Sequence, residues 1–177
     1  MYVSRAIAIG LGVLVVAVAV FFGARAIFDD DGGGTIEDSG DEGFQLEYPD
    51  AWKPISEDEL AQFPGAPLVV LEREDDSGLF VVRREEKSAP TKESFGKELE
   101  EELSDRVPDY EPGTVRTVTT QSGEAFYFSY ARSEAGTANS IVVVPDGSAS
   151  FVLESASAAD DREAAEEIAG MIASFGV

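Results

Sequence analysis

The sequence predicts an α+β fold: an antiparallel sheet covered by helices in an α/β/α sandwich, preceded by one transmembrane helix. Three observations support this prediction. Residues 6–24 form an uncharged apolar run. Beyond residue 43, β-rich runs follow one another in pairs joined by turn residues, which is typical of antiparallel hairpins. Segments with helical periodicity lie between these pairs and after the last of them.

The N-terminal apolar run is long enough to cross a membrane. Its nineteen residues span about 28 Å as a helix, close to the thickness of the hydrocarbon layer. Arg5 and the α-amine precede the run, whereas Arg25 and then three aspartates, 29–31, follow it, so the count of basic residues favours a cytoplasmic N-terminus. We expect residues 1–28 to be a transmembrane signal-anchor of a single-pass cell-membrane protein whose domain is extracytoplasmic.

A cleaved signal peptide is the alternative. Ala24-Arg25-Ala26 has the small-x-small form of a cleavage site, and cleavage there would produce a secreted form. A lipid-modified cysteine is excluded as an anchor because the chain has no cysteine. Both alternatives place the domain outside the cytoplasm.

Residues 29–42 are predicted to be an acidic, glycine-rich linker. They contain four glycines and seven acidic residues in fourteen positions, too few apolar groups to order themselves. Asp29 and Asp31 have the spacing that opens a calcium loop, but Gly33 and Gly40 occupy positions that need oxygen ligands. We therefore expect a flexible coil.

The domain, residues 43–177, begins with strands. From Phe44 to Tyr48 apolar and polar residues alternate, as in a half-buried strand. Residues 68–73 and 79–85 are β-rich and are joined by a turn sequence, which predicts a hairpin. Residues 60–67, with two prolines and a glycine, are predicted to be a loop.

The next segment changes to helical periodicity. Four apolar residues recur at every fourth position, with Pro90-Thr91 before them and Pro108 after them, which predicts one helix with a buried stripe. These residues are Phe95, Leu99, Leu103 and Val107.

Two further hairpins and a last helix complete the predicted domain. Residues 115–120 pair with 125–131, and residues 141–144 pair with 150–155, each across a short turn. A final helix is predicted over residues 160–174. Its apolar face consists of Ile168, Met171, Ile172 and Phe175.

The segment GFQLEYPDAW, Gly43 to Trp52, resembles the opening of PsbP-like domains of the exported bacterial type. The order of hairpins and helices, and the closing Ser174-Phe175, are also similar to that family. The resemblance implies the α/β/α sandwich that the family shares with the Ran-binding Mog protein, and an accessory or assembly role. It transfers no site: photosystem members are linked to manganese and calcium retention with histidine ligands, and this chain has no histidine.

The charge of the chain limits its partners. The formal net charge is −22, and all 35 acidic residues lie at or after Asp29 with 11 of the 13 basic ones, which gives that part −24. Such a surface repels nucleic acid, so no nucleic-acid partner is expected. Solubility or adaptation to salt explains the charge, and attraction of a cation or basic partner remains the alternative.

The absence of histidine and cysteine removes the usual general base, the thiol nucleophile and the commonest metal ligands. We therefore assign no catalytic, cofactor-binding or metal-binding residue and expect no enzyme. Ser94-Phe95-Gly96-Lys97 matches the S-x-x-K motif of penicillin-binding proteins, but its companion motifs are absent. We interpret that match as chance.

Three surface hypotheses remain. Four carboxylates form a stripe on the middle helix, where we expect a solvated face and keep a weak cation site as the alternative: Glu98, Glu101, Glu102 and Asp105. Tyr48 and Trp52 at a strand end have the chemistry to stack on a sugar, and we expect them in the core. Phe63 in the predicted loop would be an interface anchor if exposed, and we expect it to pack under the sheet.

These observations predict a membrane-anchored, extracytoplasmic, non-enzymatic binding or accessory domain with an unidentified envelope protein as its partner. The alternative is an extracytoplasmic module that binds a small ligand or cation between the sheet and a helix. A large apolar cavity would favour the second hypothesis, and an exposed apolar patch would favour the first.

Overall fold

The computed structural model describes residues 33–38 and 43–177. The predicted anchor, residues 1–28, and part of the predicted linker lie outside the described residues. In chain order the elements are β1 (Gly34–Asp38), β2 (Phe44–Tyr48), β3 (Trp52–Pro54), α1 (Glu57–Gln62), β4 (Val69–Arg73), β5 (Gly78–Glu85), α2 (Lys92–Arg106), β6 (Tyr110–Thr120), β7 (Gly123–Arg132), β8 (Thr137–Asp146), β9 (Ala149–Ala158) and α3 (Arg162–Ser174).

The centre of the fold is a seven-stranded antiparallel sheet with the strand order β3-β4-β5-β9-β8-β7-β6. The three predicted hairpins are present as β4–β5, β6–β7 and β8–β9. The pairing of β5 with β9 joins the first hairpin to the others, and β1 and β2 form a separate two-stranded sheet. The predicted α+β class with an antiparallel sheet and helices is confirmed.

One face of the sheet is covered by α3 and the β1–β2 pair. Alternate residues of the strands point to this face, and they pack against the apolar stripe of α3. Phe44, Phe151 and Phe175 have ring centroids within 5.3–5.9 Å of one another, so they link β2, β9 and the end of α3. Their burial anchors the small sheet and the last helix to the large sheet.

The opposite face is covered by α2 along its buried stripe. Phe95, Leu99 and Leu103 are each no more than 1% exposed and pack on β7, β8 and β9. The hydroxyl of Thr91 caps the helix by accepting from the Ser94 amide. The helix ends before Pro108, which cannot continue it, so both ends and the buried stripe agree with the prediction.

The linker prediction is wrong for part of its length. Gly34–Asp38 is a strand, not a flexible coil, and it pairs antiparallel with Phe44–Tyr48. Ile36 lies opposite Leu46 and packs against the α3-side core. With a single apolar residue among acids and glycines, the segment shows no strand alternation in its sequence. It forms a strand because the edge of β2 supplies the backbone hydrogen-bond partners that the segment lacks alone.

Two short elements also differ from the prediction. Residues 60–67 were expected to be a loop, but α1 extends to Gln62 and is held by a capping box between Ser56 and Glu59. No residue of α1 is buried, so it lacks the apolar periodicity that reveals a helix. Strand β3 has only three residues, too few to show an alternation.

The ends of the later strands shift outward from their predicted positions. Strand β6 begins at Tyr110, and β8 runs through Pro145 to Asp146 before a turn at Gly147. Gly147 has a φ of +59°, a conformation that favours glycine. Among the described residues no helix is both long and apolar enough to cross a membrane.

Candidate functional site

An open cleft lies on the α3 side of the sheet, between the start of α3 and the edge strand β6. Its floor begins with a row of three serines on neighbouring strands. Ser129 of β7 lies opposite Ser140 of β8, which in turn lies opposite Ser155 of β9. Because side chains at paired positions point to the same face of a sheet, the three hydroxyls form a row across the floor.

A second row of small residues lies two positions further along the strands. Ala131, Ala138 and Ser157 are paired across β7, β8 and β9 in the same way. The two rows bound a cavity with a volume of about 330 Å³, which lies within the usual size range of small-ligand pockets.

The walls of the cleft come from α3 and β6. Ala165 and Ile168 of α3 face the floor on one side, and Glu111, Pro112 and Gly113 of β6 form the other side. The register of β6 against β7 shifts between Pro112 and Val115, so a bulge bends the edge strand here. A side chain at Gly113 would collide with the Ser129 carbonyl, which explains the glycine in this wall.

The cavity exists because side-chain size changes along the same strands. The row next to the serines consists of Tyr127, Val142 and Leu153, which pack with α3 in the core. Beyond it the floor carries only serine and alanine, and the facing turn of α3 carries Ala164 and Ala165. Small residues on both sides leave a space that no side chain of the domain fills.

The polar groups of the floor are only partly engaged. The Ser140 and Ser155 hydroxyls lie 2.7 Å apart and are hydrogen-bonded to each other. Within the described part of the chain, the hydroxyls of Ser129 and Ser157 have no side-chain hydrogen bond, although Ser157 is only 5% exposed. They therefore retain capacity to bind a ligand or water.

The electrostatics of the cleft are simple. Among the described residues that line it, Glu111 is the single charged one. Arg116 lies just outside, with its guanidinium carbon 4.2 Å from the centroid of the Tyr127 ring, a cation–π contact. The cleft is thus an uncharged surface with one carboxylate at its rim.

Two charged clusters lie elsewhere. Arg73, only 8% exposed, contacts Asp75, Asp161 and Glu167 at 2.7–3.1 Å, and Glu167 also accepts a hydrogen bond from the Trp52 indole at 2.9 Å. This cluster joins the β4–β5 turn to the start of α3. It holds the helix in place at the side of the cleft.

The second cluster lies on the α2 side of the sheet. Arg83 of β5 forms an ion pair with Glu154 of β9 and donates to the Pro64 carbonyl at 3.4 Å. Burial raises the pKa of Glu154 to about 7, and the attraction of Arg83 opposes that rise. The pair fixes the loop before β4 against the sheet and is separated from the cleft by the sheet itself.

The four residues of the S-x-x-K match have separate structural roles. Phe95 is buried in the α2 core. Gly96 allows α2 to approach β6, because a side chain there would collide with Val115. The Ser94 hydroxyl donates to the Thr91 carbonyl in the helix cap at 3.2 Å, and Lys97 lies 3.9 Å from Glu101 in an exposed ion pair.

The acidic stripe of α2 is not a uniform set of carboxylates. Glu98, Glu101 and Asp105 are exposed, whereas Glu102 is half-buried and accepts from Arg106 at 2.6 Å. Burial raises the pKa of Glu102. Within the described residues, no group of three or more carboxylates is placed to hold a metal ion.

The aromatic candidates lie in or beside the core. Trp52 is 1% exposed, so it has no free face for a sugar, and Tyr48 is half-buried beside the α3-side core. Phe63 is half-buried at the end of α1. Among the described residues, Val177 is the one large apolar side chain that is exposed, so they present no extended apolar patch.

No residue of the cleft was assigned to a site from the sequence, although the alternative hypothesis placed a ligand pocket between the sheet and a helix. One signal was present: β9 reads ASFVLESASA, in which apolar residues give way to serines at the positions that face α3. In isolation this change is typical of a strand that emerges into solvent. Recognising a cleft requires the pairing with Ser129, Ser140 and the bulged strand β6, which sequence periodicity does not reveal.

Comparison with solved structures identifies the fold. Cyanobacterial PsbP (CyanoP) from Synechocystis sp. PCC 6803 matches with a TM-score of 0.59 and 13% identity, over 88% of this chain and 98% of that one. LpqN, involved in cell envelope biogenesis of Mycobacterium tuberculosis, matches with a TM-score of 0.52 and 18% identity, over 81% and 88%. No family model and no curated protein matches the sequence. The resemblance of the opening segment is thereby confirmed: the chain has a PsbP-like fold.

Proposed function

We propose that this protein is a non-enzymatic accessory domain of the cell envelope that binds its partner or ligand through the cleft between α3 and β6. The signal-anchor over residues 1–28 would hold the domain on the outer face of the membrane. The observation that carries the proposal is the cleft itself: about 330 Å³ left open in an otherwise well-filled layer, with unengaged hydroxyls on its floor.

The chemistry of the cleft supports binding rather than catalysis. Ser129 and Ser157 are the unengaged hydroxyls, and activation of a serine requires a base within hydrogen-bond distance. The sequence contains no histidine, and Glu111 of β6 lies opposite Ala131 of β7, not opposite either serine. The lining provides hydrogen-bond groups and small apolar surfaces, which orient a ligand without attacking it.

The envelope location is supported by two independent features. The apolar run of residues 6–24 and the basic residue Arg5 before it favour export of the domain. LpqN, which shares the fold, is involved in cell envelope biogenesis, and we transfer only this general setting. Cleavage after Ala26 would leave the same domain as a secreted form, the second candidate.

In-cell photo-cross-linking tests the binding role. A photoreactive amino acid replaces Ala165, an exposed residue of the cleft wall, in the full-length chain. The control places it at Ala173, also exposed on α3 but outside the cleft. We expect a discrete adduct from position 165 and none from position 173. Equal adducts at both positions, or none at position 165, would refute the proposal.

A further inference from the structure

The shape and polarity of the cleft restrict what it binds. We propose that it binds an uncharged molecule containing one flat ring with a hydroxyl group, inserted between the serine and alanine rows and α3; this inference rests on the proposed function of the cleft. Three properties of the described residues point to this ligand: charge, hydrogen-bonding capacity and the form of the floor.

The charge of the cleft disfavours anionic ligands. A buried anion needs a compensating cation, but no basic residue is among the described residues that line the cleft. The protein's net charge of −22 adds an unfavourable potential for any anion. A cationic ligand would have Glu111 at the rim as its one carboxylate among the described lining residues. The lining therefore lacks the opposite charges that would compensate the desolvation of an anionic or a cationic ligand.

The hydroxyls of the floor disfavour a purely apolar ligand. Ser129 and Ser157 have no side-chain hydrogen bond within the described residues. An apolar group would exclude water from their hydroxyls without replacing the hydrogen bonds that water makes. A ligand hydroxyl beside either serine can donate to its oxygen or accept from its hydroxyl. A neutral ligand with a hydroxyl group can therefore form, at one of these serines, a hydrogen bond that the described side chains leave unformed.

The floor favours a flat ring. Neighbouring strands are about 4.8 Å apart and successive rows about 6.8 Å apart, so three strands and two rows make a nearly level surface of roughly 10 by 7 Å. Ala131 and Ala138 add no bulk to it, and Ala165 and Ile168 face it from α3. The space between two smooth surfaces accommodates a ring better than a branched molecule.

A sugar fits less well. Proteins commonly bind sugars by stacking them on an aromatic ring that has a free face, and Tyr127 carries the aromatic ring on the α3-side floor. That ring is covered by Arg116 at 4.2 Å and packs against the core. A ring inserted over the serine and alanine rows needs no such platform.

Saturation-transfer NMR on the full-length chain tests the inference with matched probes. The probes p-cresol, p-toluate and toluene share one ring and methyl group and differ in charge or hydroxyl. We expect p-cresol to bind and p-toluate to bind at least about tenfold more weakly, since its charge is unpaired in the cleft. Toluene should bind about fivefold more weakly than p-cresol, the value of one hydrogen bond.

Two variants locate the binding. Ala138→Phe fills the floor and should abolish p-cresol saturation transfer, whereas Ala173→Phe, outside the cleft, should leave it unchanged. The double variant Ser129→Ala/Ser157→Ala should reduce p-cresol binding to the toluene level and leave toluene unaffected. Folding of each variant is checked by its circular dichroism spectrum and melting temperature.

The outcomes separate the two proposals. Binding of p-toluate at least equal to that of p-cresol, lost in Ala138→Phe, would overturn the ligand class and leave the cleft as the binding site. Saturation transfer that is identical in Ala138→Phe and Ala173→Phe would overturn the inference for the cleft altogether. Photo-cross-linking at Ala165 without p-cresol binding would overturn the ligand class while the accessory role stands.

Discussion

The pairing of Arg83 with Glu154 shows how burial and charge compete at a single residue. Glu154 is 12% exposed and contacts the guanidinium of Arg83, yet burial raises its pKa to about 7. Desolvation of the carboxylate thus outweighs the attraction of the cation. Tyr130 of β7, two strands away on the same face of the sheet, has its pKa raised to about 12, first by burial and then by Glu154, which reflects the same shielded surroundings.

This raised pKa predicts an unusual pH dependence of stability. The folded state retains a proton on Glu154 that the unfolded chain releases near pH 4.5, so its contribution to the free energy of unfolding falls as pH rises from 5 to 7. The slope approaches about 1.4 kcal/mol per pH unit. Urea titrations of the wild type and Glu154→Gln measure it, because their difference removes the effects of the other acids.

The opposite outcome would show that the pKa of Glu154 is not raised. If the difference between wild type and Glu154→Gln stays constant from pH 5 to 7, the carboxylate is ionised throughout that range beside Arg83. The pKa would then lie at or below its usual value, and the attraction of Arg83 would outweigh desolvation.

At the scale of elements, periodicity determines how much of the fold is predictable. Helix α2 was predicted with its cap and its end because Phe95, Leu99 and Leu103 repeat on one stripe and are all buried. The three hairpins were predicted because turn residues separate β-rich runs. In each case the local sequence pattern and the tertiary packing favour the same structure.

The elements that were not predicted lack such a pattern. Helix α1 buries no residue and β3 has three residues, so neither shows a period. Strand β1 exists through its pairing with β2, a contact that no local rule reveals. The cleft was missed for the same reason, since it is defined by residues on four strands and a helix.

The buried stripe of α2 predicts a large effect from one truncation. Leu99→Ala should lower the free energy of unfolding by about 2–5 kcal/mol, because it removes buried methyl groups and leaves a cavity. The matched control is Glu98→Ala, one residue away on the exposed side, which should change stability by less than about 0.5 kcal/mol. Chemical denaturation of both variants makes the comparison, and a similar small effect for the two would place the stripe in solvent.

For the whole molecule, charge is the dominant property. The part of the chain from Asp29 onward carries −24, which the ion pairs of Arg73 and Arg83 neutralise only locally. Self-repulsion of this magnitude disfavours the compact state at low ionic strength. It also explains why approach of anionic partners is unfavourable over most of the surface.

Salt should therefore stabilise the protein. Added NaCl screens repulsion beyond about 10 Å at 0.1 M, so the melting temperature should rise and then level off. Millimolar Ca²⁺ at matched ionic strength should add a modest increase that survives Glu98→Gln/Glu102→Gln, since the charge is spread over the surface. A large Ca²⁺ effect erased by this double variant would instead identify a specific ion site on α2.

Membrane attachment is tested on intact cells. Protease added outside should remove the domain and leave a short membrane-bound fragment that contains residues 6–24, because the distribution of basic residues favours a cytoplasmic N-terminus and an external domain. N-terminal sequencing of the untreated protein is the companion measurement. A mature chain that begins at Ile27 would establish the secreted form and contradict the anchor.

The central claim is that the cleft is occupied where the protein works, and cysteine protection tests this most directly. The chain has no cysteine, so Ala165→Cys and Ala173→Cys each introduce one reactive thiol on an exposed part of α3. We expect a membrane-impermeant thiol reagent to modify position 165 more slowly in intact cells than in the purified chain, and position 173 at equal rates in both. Equal rates at position 165 in cells and in the purified chain would contradict the account.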